Sequence, residues 1–579
     1  MSEKNKYFST YEISSIKDMI YKAVERGKDR LAFEEKVDGK WKKLSVGQFL
    51  NICENFACSL SGLGLKQGDK IAVIGRNRID WAVTYMAAAI SGFIAVPLDR
   101  ELKEQELSHT LHVSEAKAVV CTEDHANIIF YIKNDLPRLK HVICMDNISK
   151  KGILYIQDLY KEGKELNNKG KNNVLNNTVK PEHVMSMLFT SGTTGNSKIV
   201  PLTHKNLCSN MVDTCCFVNF DEKDKWLSVL PMHHVYECTC GFLIPLYKGA
   251  SIAFTENLYK IADNAKDVCP TIMLGVPALY ESISKKILSS IGAKPLGKLK
   301  LKLGMVISNV LEKFGKKQIR KKIFKELHKN FGDKLRLLIT GGAAANPQIS
   351  SFFEKLGFTF MQGAGMTEAS PIYALNPQWK YKHAAIGIPL PGVEIEIRNP
   401  NENGVGEILI KGPSIFNGYH EAEEINKQAF ENGWFKTGDL GYKDSDGYIY
   451  ITGRKKNLIV TAGGKNIYPE EIETWLNKSD FILESLVWSG EFQGKEQVNA
   501  IIVPDFEYYD RHCSEHNLEK NEKELNKIIS KEIKHLTSHL AVYKRVKKFT
   551  IRHEEFPKTT TKKIKRFLVL SGLGQNINT

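Results

Sequence analysis

The 579-residue sequence is poor in anything that would take it across or into a membrane. Met1-Ser2-Glu3-Lys4-Asn5-Lys6 is polar and leads into no apolar core, so no secretory leader is expected. Residues 81–98 run without a formal charge, but Ser91-Gly92 and Pro97 interrupt them. A helix at 80–90, a turn and a buried strand at 93–96 account for that run better than a membrane span. The 11 cysteines are odd in number and scattered; Cys215-Cys216 and Cys238-x-Cys240 have no second pair at zinc-finger spacing. A reduced, cytoplasmic protein is the simpler expectation. No run of stacking aromatics interleaves with the charges of the most basic stretch, which argues against a nucleic-acid partner.

What is present is a globular composition, 42% hydrophobic and 25% charged, over a length that suggests two to four domains. The net charge of +15 is unevenly spread. Residues 285–336 hold 16 Lys/Arg against Glu312, Glu326 and Asp333, so most of the excess lies there. Within that stretch Ile319, Ile323, Leu327 and Phe331 recur every four residues among lysines, the pattern of a basic amphipathic helix. Such a helix either packs its apolar stripe on the domain or rests on anionic lipid headgroups.

Helical and strand patterns alternate through residues 1–180, with strands at 71–75, 93–97 and 118–121, which points to a layered α/β unit with parallel strands. The Lys/Asn/Gly-rich run 161–180 reads as a surface linker. It leads to an apolar strand at 184–188, then Phe189-Thr190-Ser191-Gly192-Thr193-Thr194-Gly195-Asn196-Ser197-Lys198, then a helix opening at Thr203-His204. Two glycines, five hydroxyls and one lysine on a single turn suit a polyphosphate. The turn is not a Walker A loop: Gly192 has the right offset from Lys198, but Ser197 stands where the second glycine belongs.

Further motifs follow in order. Pro231-Met232-His233-His234-Val235-Tyr236-Glu237 ends a strand at 226–230, and Gly341-Gly342-Ala343 ends another at 334–340. Gln362-Gly363-Ala364-Gly365-Met366-Thr367-Glu368 comes next. From 387 to about 450 short strands and turns suggest a small antiparallel sheet or barrel, closing on Thr437-Gly438-Asp439. Gly453-Arg454-Lys455-Lys456, Gly463-Gly464-Lys465 and Pro557-Lys558-Thr559-Thr560-Thr561-Lys562-Lys563-Ile564-Lys565-Arg566 complete the set.

Together these motifs resemble those of the adenylate-forming superfamily, most like its bacterial long-chain fatty acyl-CoA synthetases, and the resemblance spans nearly the whole chain. It implies an α/β fold: a large N-terminal domain of layered α/β subdomains with a small β-barrel at about 387–450, together residues 1–452. A hinge at 453–456 and a small mobile α+β C-terminal domain at 457–579 would complete it.

The resemblance also implies roles. Thr190, Ser191, Gly192, Thr193, Thr194, Gly195 and Lys198 would cradle the phosphates of ATP, and Thr190 with Glu368 would hold Mg²⁺. Thr367 would bond the α-phosphate. Gly341, Gly342, Ala343, Gln362, Gly363 and Ala364 would border adenine and the acyl channel, with Ala364 standing where an aromatic ring normally covers the base. Asp439 would take the ribose, Arg454 the nucleotide, and His234 the acyl site. Lys456 would be the pivot, Gly464 would lie against the thiol arm, and Lys563 would be the catalytic lysine, with Lys562 replacing the usual glycine.

The expected reaction is ATP-dependent activation of a long-chain fatty acid to acyl-AMP, with pyrophosphate released, followed by transfer to CoA. An acyl carrier protein is the alternative acceptor. A non-catalytic binder on the same fold is a rival of another class, and a luciferase-like oxygenase has no supporting feature. The basic segment 285–336 would provide a peripheral contact with anionic membrane.

Overall fold

A computed structural model describes the chain except residues 1–6, 191–197, 293–296, 314–316, 343–345, 461–464, 493–494, 560–562 and 576–579. It divides into two compact units, Met1–Glu394 with Ile410–Gly433, and Ile395–Leu409 with Trp434–Thr579.

The first unit holds two large sheets. In the seven-stranded sheet, Lys70–Ile74 lies between Ile94–Leu98 and Ala118–Cys121, all three parallel. The fully apolar Ile71–Ile74 and Ala118–Cys121 are buried, as strands covered on both faces must be. Val184–Thr190 joins beside Ile94–Leu98, and Lys198–Thr203 folds back on it antiparallel, with Thr190 opposite Lys198. The nine-stranded sheet has a parallel centre in the order Leu337–Thr340, Ile272–Gly275, Lys225–Ser228, Ser251–Phe254. Thr359–Gly365 extends it in parallel, Ile372–Leu375 turns back antiparallel beside it, and Ile388–Pro389 forms the edge.

The helix expected at 80–90 spans Ile79–Ser91 and is buried along its whole length. Its left-handed Gly92 cap turns the chain into the strand Ile94–Leu98. No helix among the described residues is long and apolar enough to cross a membrane.

Two local expectations are corrected. The run 161–180 is not wholly linker: residues up to 168 continue the helix Ile156–Asn168, which buries Ile156, Leu159 and Gly163. Those positions follow helical spacing, and tertiary packing outweighs the run's polar, glycine-containing composition. The basic stripe 319–331 is not one helix but two, Lys317–Ile323 and Lys325–Lys329, broken at Phe324. Phe324 and Leu327 pack on the core, Phe331 is buried, and buried Arg320 donates to the Ser308 and Glu354 carbonyls at 3.3 and 3.2 Å. Leu327 and Phe331 of the stripe therefore pack on their own domain, while Ile323 is 36% exposed.

The second unit contains the strands Trp434–Lys443 and Ile449–Arg454, paired antiparallel within a five-stranded sheet. It also holds a three-stranded sheet in which the hairpin Ile482–Phe492 and Lys495–Pro504 pairs in parallel with Lys548–Ile551. The helices Pro469–Leu476, Phe506–His516 and Glu522–Thr537 cover that sheet through Ile472, Leu476, Tyr509, Cys513, Leu525, Ile529 and Ile533.

Candidate functional site

The ends of the phosphate loop are fixed by the hairpin. Thr190 closes its first strand and Lys198 opens the return strand, so the two face each other at the loop's neck. Ser191, Gly192, Thr193, Thr194 and Gly195 lie outside the described residues. The helix His204–Phe217 begins immediately after the return strand, with Thr203 and Asn206 forming a capping box. The Asn206 side chain also donates to the carbonyls of Pro413 and Ile415, both at 2.9 Å, which draws the segment after Gly412 onto this element.

That segment carries a residue no motif announced. Tyr419 places its ring under Lys198, with Nζ 4.6 Å from the centroid, and its hydroxyl donates to Glu368 Oε1 at 2.7 Å. The Phe416 N–H donates to the Glu368 carbonyl at 2.9 Å, and the His420 N–H to the Ile199 carbonyl at 3.0 Å. One network thus links the loop's lysine, a tyrosine and a buried carboxylate. Thr367 and Glu368 sit on the short turn Thr367–Ala369 that follows the strand Thr359–Gly365. A carboxylate beside a loop whose neck carries the Thr190 hydroxyl offers the all-oxygen donors a hard cation such as Mg²⁺ takes.

Around this network the small residues pack tightly. A Cβ on Gly341 would come within 3.1–3.5 Å of the Tyr236 ring, and one on Gly363 within 2.9 Å of the Ala374 carbonyl. Gly342 follows with a left-handed φ of +87°. Ala343 is outside the described residues, while Ala364 is buried opposite Ala374. Gln362 is buried and donates to the Ala385 carbonyl at 2.6 Å, tying its strand to the loop beyond.

His234 lies in the turn after the strand Lys225–Ser228, its ring centroid 4.2 Å from that of His233. Three residues on, the chain enters a π-helical segment, Glu237–Leu243, a local widening common at functional sites. Glu237 is 1% exposed; Oε1 accepts from Ser228 Oγ at 2.6 Å, while Oε2 has no hydrogen-bond partner. A Cβ on Gly241 would fall 2.5 Å from that carboxyl group, so glycine makes the room for it. Burial, only partly offset by Ser228, pushes the Glu237 pKa up to about 8, so the side chain is a neutral acid near pH 7.

The second unit brings Asp439 and Arg454 together. They face each other across paired strands, with Arg454 Nε 2.8 Å from Asp439 Oδ1 and a guanidinium N–H donating to the Thr437 carbonyl at 3.1 Å. Lys456 lies on the turn Lys455–Asn457. Its pKa is held below the ordinary lysine value by desolvation first, then by Arg454 and Arg566, although the residue as a whole is solvent-exposed. Gly464 is outside the described residues. Lys563 is exposed on a tight reversal: the Thr559 N–H donates to its carbonyl at 2.8 Å, and its N–H to Thr559 Oγ at 3.1 Å. Lys558 anchors the approach through Glu484 and Glu555, and Arg566 anchors the exit on Glu473 at 2.6 Å.

The backbone is similar along nearly its full length to solved enzymes. The anthranilate CoA ligase AuaEII, in complex with anthranoyl-AMP, superposes with a TM-score of 0.77 at 20% identity, over 99% of each chain. ATP-bound MatB from Rhodopseudomonas palustris gives 0.75 at 24% identity, over 98% of this chain and 100% of that one. At these identities the likeness shows the fold. Among curated proteins, fatty acyl-CoA synthetase B of Dictyostelium discoideum is 29% identical over 549 residues, covering 89% of this chain and 80% of its own. The long-chain-fatty-acid–CoA ligase FadD15 of Mycobacterium tuberculosis is 25% identical over 517 residues, covering 87% and 84%. Residues 20–420 match the family model described as AMP-binding enzyme, and the chain belongs to that family.

Proposed function

We propose that this protein is a long-chain-fatty-acid–CoA ligase of the AMP-forming type. The observation that carries the reading is the Lys198–Tyr419–Glu368 network at the neck of the phosphate loop, which joins a cation for phosphate to a carboxylate suited to Mg²⁺. The names of the curated relatives supply the substrate class.

In this reading ATP binds with its phosphates on the loop 190–198 and its ribose on Asp439, which Arg454 already orients. Mg²⁺, held by Glu368 and Thr190, would neutralise charge on the phosphates. Thr367 bonds the α-phosphate. The fatty acid lies with its carboxylate toward that phosphorus, alongside His234. The attack forms the acyl–phosphate bond and expels pyrophosphate, and Lys563 adds a compact positive charge as negative charge builds. CoA thiolate then attacks the acyl carbon and AMP leaves. Before that step Lys563 withdraws by rotation of residues 457–579 about Lys456, which brings the Gly464 loop to the pantetheine arm.

The same reading includes contact with an anionic bilayer, now through a different element of the basic segment. On the helix Gly297–Lys313, Leu299, Leu303, Val306, Ile307 and Val310 are 43–61% exposed, while Leu301 and Ser308 are buried. The spacing puts the five on one face, in a sequence that also carries Lys298, Lys300, Lys302 and Lys313. Long-chain acids partition into membranes, so a lipid-facing helix suits the substrate.

The test is thioester formation across carboxylic acids of increasing chain length, with CoA or with an acyl carrier protein as acceptor. The reading expects activity to peak with long chains and to require CoA. Equal or better transfer to the carrier protein would replace the acceptor, and a peak at short or aromatic acids would replace the substrate.

A further inference from the structure

We propose that Asp99, His233 and His234 form a binding site for a divalent cation of the zinc class. One ligand atom from each residue lies within 4.8 Å of the other two, a group of carboxylate and imidazole donors. The ligands come from two sheets. Asp99 follows the strand Ile94–Leu98, and the histidines follow Lys225–Ser228. The histidine turn is held in place from the first sheet: Asn77 donates to the Leu230 carbonyl at 2.7 Å and to Ser228 Oγ at 3.0 Å, and accepts from the Met232 N–H at 3.0 Å.

His233 points to a ligand most directly. The residue is 8% exposed, and its Nε2 has no hydrogen-bond partner among the described residues. Asp99 Oδ2 stands 3.5 Å from that nitrogen, too far for a hydrogen bond. A buried ring nitrogen left in that state costs free energy. The same 3.5 Å fits an edge of a tetrahedron, which is about 3.4 Å for metal–ligand bonds of about 2.1 Å. The remaining separations, to His234, are within 4.8 Å.

Two imidazoles and one carboxylate favour zinc and its first-row neighbours over Mg²⁺ or Ca²⁺, which take oxygen donors. The chain would then hold two cation sites of different character: an all-oxygen one at Glu368 and Thr190, and this nitrogen-rich one. Three protein ligands leave a fourth position open to water or to an incoming carboxylate. Because the ligase reading puts His234 in the acyl pocket, bound zinc would compete with the fatty acid and inhibit reversibly. That consequence rests on the ligase reading; the cation site itself does not.

The experiment is Co²⁺ titration of the full chain after treatment with a chelator, read by visible absorption. The proposal expects one equivalent to give the d–d bands of a low-coordinate nitrogen/oxygen site, with Zn²⁺ abolishing them. Asp99→Asn and His233→Gln, checked for folding by circular dichroism, should each weaken Co²⁺ binding at least tenfold. X-ray absorption of the zinc-loaded wild type, which needs no variant, should show two imidazoles and no sulfur. Cys216 and Cys269 are the less buried thiols among the described residues, so sulfur ligation would place the ion elsewhere. The proposal is overturned by absence of the bands, by bands unchanged in both variants, or by sulfur in the zinc shell. Pyrophosphate release by the zinc-free protein with Mg²⁺ tests the ligase reading separately.

Discussion

Tyr419 is the residue on which the phosphate end of the site turns. Its hydroxyl gives Glu368 a hydrogen bond of 2.7 Å, and its ring supports Lys198. Hydrogen bonds to charged groups contribute ~1.5–3 kcal/mol. Tyr419→Phe should therefore raise the KM for MgATP roughly tenfold while leaving the fold intact, measured by steady-state kinetics at varied Mg²⁺. An unchanged KM would show that the tyrosine only fills space. No sequence pattern singles out Tyr419, because its partners lie 51 and 221 residues away along the chain. Lys198, Glu368, Asp439 and Arg454 could be named as candidates because each sits in a motif whose chemistry dictates the residue type.

Glu237 makes a prediction in pH. Its pKa is raised to about 8 in the folded protein from an ordinary value of 4.5. The folded state keeps a proton that the unfolded chain releases, so this group's stabilisation is complete below pH 4.5 and is lost as pH rises toward 8. The stability of the wild type relative to Glu237→Gln should fall by about 1.4 kcal/mol per pH unit across that window and level off above it. Urea unfolding of both proteins at several pH values checks this. A difference that stays flat would mean the carboxyl is ionised and paired in the folded state.

At the scale of elements, period and composition were reliable where a segment is buried on all sides and misleading where polarity hides a packed face. The strand Ala118–Cys121 and the helix Ile79–Ser91 were readable from apolar runs and punctuation. The helix Ile156–Asn168 was not, because only Ile156, Leu159 and Gly163 of it are buried. In the basic segment Leu327 and Phe331 of the readable stripe pack inward, while the broader exposed apolar face belongs to Gly297–Lys313, whose leucines and lysines alternate and blur the helical period. That helix carries the membrane expectation. Val306→Glu with Ile307→Glu should cut binding to anionic phospholipid vesicles at least tenfold, since each added charge also repels the surface. The substitutions fall on exposed positions, so thermal stability should be unchanged. Equal vesicle binding by the double variant would remove this face from the account.

At the scale of the molecule, the candidate residues divide between two compact units. The phosphate loop, Glu368, Tyr419 and His234 belong to the first; Asp439, Arg454, Lys456 and Lys563 belong to the second. The order of motifs along the chain proposes this set but not the division. Ile395–Leu409 and Trp434–Lys443 leave the first unit by sequence and join the second through strand pairing, which only the folded chain displays. Lys563 stands out within the second unit. It is exposed between Lys558 and Arg566, both of which are ion-paired to glutamates of the same unit. The most direct measurement is acid-dependent pyrophosphate release from MgATP by the wild type and by Lys563→Ala, with preformed acyl-adenylate and CoA supplied in parallel. The account predicts that the substitution slows release by ~10²–10³-fold, as loss of one transition-state donor does, while thioester formation from the adenylate persists. Release that is undiminished in Lys563→Ala, or absent from the wild type with every acid, would contradict it.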